Sequence, residues 1–152
     1  MSHSYICCLV HVVFSTSECR PLIRENMQNR LHAYIGGIAR ENGMAALAVG
    51  GVADHAHVLL SLSRTVAVAK AVQLLKAGSS KWLKESYGEL KGFAWQEGYA
   101  AFSVSLSQRD RTVDYILRQP EHHKRITFAE EYSKFLRVHG IVEEELSRPS
   151  GT

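Results

Sequence analysis

Apolar and polar positions recur with several periods along this chain, and each period predicts an element. Tyr5 to Phe14 is a nearly unbroken apolar run rich in β-branched residues, which predicts a central strand. Pro21 then breaks the chain. Met27, Leu31, Tyr34, Ile35 and Ile38 fall on one helical stripe, and Gly43 is placed to end that helix. The Gly36-Gly37 pair inside the stripe weakens it. Met44 to Val49 predicts a short strand, Gly50-Gly51 the start of a turn, and His55 to Leu62 a strand antiparallel to the one before. Thr65 suits the N-cap of a second helix running to about Ser86, closed by Gly88. Tyr99 to Ser107 alternates, with Phe102, Val104 and Leu106 on one face and Ser103, Ser105 and Ser107 on the other.

The order strand, helix, strand, strand, helix, strand is the ferredoxin-like βαββαβ arrangement, an α+β fold. Both helices pack on one face of an antiparallel sheet, which leaves the other face open. Two C-terminal helices are expected to follow. One runs from near Gln108 to about Gln119. The last opens on a capping box, Thr127 with Glu130, and ends at His139 and Gly140. Residues 1–141 read as one domain and 142–152 as a polar tail.

Composition adds few constraints. The chain has 152 residues, 45% hydrophobic and 22% charged, which is ordinary for one globular domain. A net charge of +3 is compatible with nucleic acid without demanding it. Cys7, Cys8 and Cys19 form no CxxC pair, so a reduced, cytoplasmic protein is expected. The apolar N-terminal run is too short to span a bilayer and lacks a basic leader and a cleavage site.

The candidate chemistry starts in "GVADHAHVLLSLS". Side chains alternate along a strand, so Ala56, Val58, Leu60 and Leu62 share one face and His55, His57, Leu59 and Ser61 the other. The wholly apolar set belongs against the helices. The two imidazoles therefore stand together on the opposite face, roughly 7 Å apart along the strand. That separation suits chelation of one metal ion, and it also suits two histidines on a solvated face. A third histidine two residues on, as in the histidine-triad nucleotide hydrolases, is replaced by Leu59. Further along, in "VDYILRQPEHHK", Tyr115 and Gln119 are four apart and share a helical face. Tyrosine offers a hydroxyl nucleophile and glutamine a neutral oxygen ligand, although on these residues alone a packed tyrosine among Val113, Ile116 and Leu117 explains the position better.

Taken in order, "HVVFSTSECRPLI", "GGVADHAHVLLSL", "WQEGYAAFSVS" and "YILRQPEHHKRITFAEEYSKFLRVHGI" resemble the single-tyrosine HUH transposases of the smallest bacterial insertion sequences, the Insertion Sequence 200 type, and their REP-associated relatives. HUH denotes two histidines around a bulky apolar residue, here the smaller Ala56. The resemblance implies a metal-dependent nickase and strand transferase acting on single-stranded DNA folded into hairpins. It implies that His55 and His57 bind Mg²⁺ or Mn²⁺, that Gln119 is the third protein ligand, and that Tyr115 is the nucleophile of a 5′-phosphotyrosine intermediate. It also implies a homodimer, in which the tyrosine helix of one subunit can complete the other's site. Pro120 departs from the pattern. It disfavours helical geometry at Gln119 and removes a backbone donor, so a kink is expected there.

The remaining candidates are less specific. Lys70, Lys76, Lys81 and Lys84, with Arg109, Arg111 and Arg118, are cations available to a DNA backbone, and Trp95 is an aromatic available to an unstacked base. Each has an ordinary alternative as solvated face or core. His11 reads as a core histidine or as a neighbour of the metal. His122 and His123 have a structural or DNA-proximal role, and Asp54 is placed to orient an imidazole or simply to make a turn. Two rival functions are weighed. A ferredoxin-like module binding nucleic acid on its open face lacks the expected aromatic pattern. A zinc hydrolase lacks the carboxylate or third histidine usual at catalytic zinc.

Overall fold

The computed structural model describes residues 3–141. The expected tail, residues 142–152, lies outside the described residues. Four strands, β1 (Leu9–Ser15), β2 (Ala45–Val52), β3 (His55–Ser61) and β4 (Ala100–Val104), form one antiparallel sheet in the order β2-β3-β1-β4. Helices α1 (Glu25–Glu41) and α2 (Val68–Ser86) connect them in the expected βαββαβ sequence. The chain then continues through α3 (Arg109–Leu117), the short α4 (Gln119–His122) and α5 (Phe128–Val138).

The main core lies between the sheet and the first two helices. Val10, Val12, Phe14, Ala56, Val58 and Leu60 meet Met27, Leu31 and Ile35 of α1 and Val72, Leu75 and Leu83 of α2. This is the wholly apolar face of β3, as alternation required. The helix α1 runs through Gly36-Gly37 and ends with Gly43 in the left-handed region at φ 74°. Trp95 packs edge-on against Phe14 and donates its indole N–H to Ser79 Oγ at 3.0 Å. It belongs to the core and is not free to stack on a base.

The other face is not open. Helices α3 to α5 cover it in two clusters. Phe128 and Leu136 of α5 pack on Val13, Ala100 and Phe102, and Ile116 of α3 packs on Leu9, Ala48 and Leu59. Leu59, Phe102 and the alternating residues of β1 supply the apolar surface that pulls these helices down. A nucleic-acid-binding module using a bare sheet has no such surface here.

Several boundaries differ from the sequence pattern. The first strand starts at Leu9, and Tyr5 to Cys8 precede it exposed. Gly50 and Gly51 are inside β2, and the turn is Ala53-Asp54. Gly50 is needed there because a Cβ on it would lie 2.1 Å from the Ile116 carbonyl oxygen. Ala67, not Thr65, caps α2, which ends at Ser86 before Gly88. The strand β4 is shorter than the alternation suggested, because Leu106–Gln108 already forms a helical turn.

Candidate active site

The site is assembled from one strand pair and three helices. Strand β3 presents His55 and His57, both fully buried, beneath the C-terminal helices. Each imidazole is held from behind through Nδ1. His55 Nδ1 lies 2.7 Å from Asp54 Oδ1, the orienting contact foreseen for Asp54. His57 Nδ1 lies 2.8 Å from His11 Nε2. His11 sits in β1, next to β3 in the sheet, and so shares the face of the two histidines rather than a separate core.

Both Nε2 atoms point forward to one carboxylate. Glu131 Oε1 is 2.9 Å from His57 Nε2 and 3.3 Å from His55 Nε2. It is also 3.3 Å from His123 Nε2. Glu131 belongs to α5, where it shares the inward side with Phe128 and Leu136 and is only 2% exposed. The position violates the usual amphipathic pattern, because a carboxylate is almost never fully buried unless paired. The spacing of Glu131, three residues from Phe128 and four from Phe135, is the signal of its inward side that the sequence offers.

Gln119 is where the sequence expected it. The chain leaves helical geometry at Arg118, with φ −95° and ψ 14°, and restarts at Gln119 with Pro120 in the first turn. Proline tolerates that position because its missing N–H has no helical partner there anyway. The break therefore turns Gln119 inward rather than away. It is fully buried, its Oε1 lies 3.0 Å from His55 Nε2, and its Nε2 donates to Glu131 Oε2 at 3.0 Å. Tyr115, at the end of α3, donates its hydroxyl hydrogen bond to Glu131 Oε2 and lies 3.2 Å from His122 Nε2. Its ring lies 5.9 Å from that of His57, edge to face.

Burial sets the electrostatics. Desolvation holds His57 at about 4, against the pull of Glu131. Desolvation and the His57 charge hold His11 at about 3. Burial also opposes charge on His55, but hydrogen bonds with Asp54, Glu131 and Gln119 outweigh it and raise the imidazole to about 9. Burial would raise the Glu131 carboxyl, yet His123, His55 and His57 hold it far below the usual range. Desolvation, and then the Glu131 carboxylate, push the Tyr115 hydroxyl well above its ordinary value.

The donor set can hold a metal. His55, His57, His123 and Glu131 each place one ligand atom within 4.8 Å of all the others. Donors about 2.1 Å from one tetrahedral ion stand roughly 3.4 Å apart, close to the 2.9 and 3.3 Å separations about Glu131 Oε1.

Outside this centre, an open cavity of about 430 Å³ beside Tyr115 is lined by Arg111, Arg118, Arg125, Asp114 and His122. Arg109 is on the same helix and pairs with Asp110. The lysines Lys70, Lys76, Lys81 and Lys84 are on α2, across the sheet from the histidines. Lys76 is already committed to the carbonyls of Gln96 and Gly98 at 2.6 and 2.9 Å. Among the described residues no helix is long and apolar enough to cross a membrane.

Comparison with known proteins fits this geometry. The chain is 25% identical over 119 residues to the ISDra2 transposase TnpA of Deinococcus radiodurans, covering 75% of this chain and 84% of that protein. It is 26% identical over 129 residues to the transposase for insertion sequence element IS200 of Salmonella typhimurium, covering 82% and 84%. In fold it is similar to a proposed transposase from Deinococcus radiodurans R1, with TM-score 0.64 at 22% identity over 76% of this chain and 94% of the other. It is likewise similar to a REP-associated tyrosine transposase bound to a REP hairpin, with TM-score 0.60 at 16% identity over 83% and 74%. The family model described as "Transposase IS200 like" matches residues 4–119, most of the chain and all of the strand, histidine and tyrosine segments; the chain belongs to the IS200-like transposase family.

Proposed function

We propose that the protein nicks single-stranded DNA and transfers the strand through a covalent bond to Tyr115, at hairpin-bearing ends, with a divalent metal held at His55 and His57. One observation carries this reading. The Tyr115 hydroxyl and both motif histidines are bonded to the same carboxylate, so the nucleophile and the ligand pair meet at one point. The REP hairpin bound by the structural relative motivates the choice of substrate.

A divalent ion held there, Mg²⁺ or Mn²⁺ by the family resemblance, supplies Lewis-acid polarisation of the scissile phosphate. The protein's own groups do the rest. Tyr115 Oη attacks phosphorus while its proton passes to His122 Nε2, 3.2 Å away. A phosphorus–oxygen bond forms to the phenol, the bond to the 3′ oxygen breaks, and that oxygen leaves as a hydroxyl after taking a proton. The phosphotyrosine conserves the ester, so a second 3′-hydroxyl can reverse the step without a nucleotide. Gln119 holds Glu131 and His55 in register. The arginines lining the adjacent cavity give the phosphates a cationic wall. The family resemblance further implies a homodimer, in which the tyrosine helix of one subunit can complete the other's site.

The test uses the full chain, a labelled single-stranded hairpin oligonucleotide and Mn²⁺. The wild type forms a denaturant-resistant adduct, and Tyr115→Phe forms none while binding the oligonucleotide within about threefold. An adduct surviving in Tyr115→Phe rejects the assignment.

A further inference from the structure

His123 lies beyond the segment that the family model matches, which ends at residue 119, yet it enters the centre on the same footing as the motif histidines. Its Nδ1 donates to the Ile126 carbonyl at 2.9 Å. That bond fixes the tautomer and leaves the lone pair on Nε2. The same Nε2 is buried and makes no hydrogen bond, and the side chain is only 9% exposed. All three imidazoles therefore share one arrangement, with Nδ1 engaged outward and Nε2 directed at Glu131 Oε1. Metal-ligating histidines are characteristically held in this way.

Gln119 is placed differently. Its amide nitrogen is bound to Glu131 Oε2, and its oxygen is set against His55 Nε2. Glu131 divides its two oxygens, Oε1 toward the imidazoles and Oε2 toward Gln119 and Tyr115. A ligand role for Oε1 leaves the tyrosine contact intact.

The geometry points to a four-ligand centre in which His123 Nε2 and Glu131 Oε1 join His55 and His57, Gln119 acts as a positioning residue, and the ion taken is zinc- or cobalt-like in preference to magnesium. This rests on the metal-dependent reading above, in which a phosphate oxygen would enter as a fifth ligand. Three imidazoles and one carboxylate are borderline donors that suit such ions, whereas Mg²⁺ favours oxygen ligands and keeps several waters. The absence of a third histidine and a carboxylate, which argued against a zinc-type site from sequence, does not hold in three dimensions.

The experiment uses the full chain stripped with chelator and titrated with Co²⁺, reading metal stoichiometry by elemental analysis and coordination by visible absorption. One ion per chain is expected, with the intense bands of four-coordinate cobalt, undisplaced by a large excess of Mg²⁺. His123→Asn and Glu131→Gln each weaken Co²⁺ binding by about tenfold or more and lose those bands. Gln119→Ala keeps the four-coordinate bands while weakening Co²⁺ binding about tenfold, as loss of a group that positions two ligands should. Circular dichroism checks the fold, and if Glu131→Gln misfolds, His123→Asn decides alone. Wild-type binding and spectrum in His123→Asn overturn the inference. If His55→Asn abolishes binding in that same series, the metal-dependent reading survives. A wild type that binds no Co²⁺, Zn²⁺ or Mn²⁺ overturns both.

Discussion

Glu131 Oε1 lies 2.9 Å from His57 Nε2, although 74 residues separate the two in sequence. The carboxylate arrives on the last helix and seals the histidine pair from above. Its second oxygen accepts from the tyrosine that the family resemblance makes the nucleophile. The predictions below follow from that joint.

Metal-free protein has a stability optimum near neutral pH. His11 and His57 are held below their unfolded value of 6.5, so stability rises with pH up to that value. His55 is held above it, at about 9, so its contribution is full below pH 6.5 and is lost as pH rises through 9. Denaturant melts of chelated protein at several pH values check this. Glu131→Gln should flatten the alkaline decline, and an unchanged decline would show that Glu131 does not hold the His55 proton.

Loading the site with metal stabilises the fold. An ion at a hundred times its dissociation constant adds about 2.7 kcal/mol, provided the unfolded chain does not bind it. Thermal melts with and without chelator read this as a shift of several degrees. His57→Ala should show no shift.

Gly50→Ala is a probe of the tyrosine helix at a distance from the chemistry. The new Cβ overlaps the Ile116 backbone, so α3 must move or β2 must bend. A loss of about 1–3 kcal/mol is expected, with adduct formation falling more than DNA binding. Gly36→Ala is the control, since nothing lies within 4 Å of its Cβ; it should stabilise α1 by up to about 1 kcal/mol. Equal melting temperatures for the two variants would contradict the close contact at Gly50.

The arginines lining the cavity beside Tyr115 set the salt dependence of DNA binding. Arg111→Ala and Arg125→Ala should each weaken binding to a single-stranded hairpin and reduce the slope of log affinity against log salt by about 0.7. Lys81→Ala on α2, on the opposite side of the sheet, should leave the slope unchanged. Equal effects at all three positions would place the DNA elsewhere.

Local features were readable from the residues. Strand alternation put His55 and His57 on one face and the apolar set on the other, and the structure keeps that division. The N-cap is where the sequence put it, with Thr127 Oγ1 accepting from the Glu130 amide at 3.2 Å, one half of the expected capping box, and Gly140 closes α5 at φ 73°. The strand ends were less legible, because Gly50-Gly51 signals a turn locally but serves a close helix approach instead. What lies above the histidines was not legible at all. His123 and Glu131 belong to segments with no periodic relation to β3, and the spacing of Glu131 from Phe128 and Phe135 marks its side of the helix without saying which groups it meets.

The sequence by itself determined the βαββαβ order and the facing of the histidines. These follow from backbone geometry, which fixes side-chain direction over a few residues whatever the rest of the chain does. Only the tertiary structure decided that the sheet's second face is covered and that His11, His123 and Glu131 close around the pair. That outcome depends on Phe128, Leu136 and Ile116 finding apolar partners on distant strands, and the drive to bury them carries no record of which polar groups will be brought together beneath.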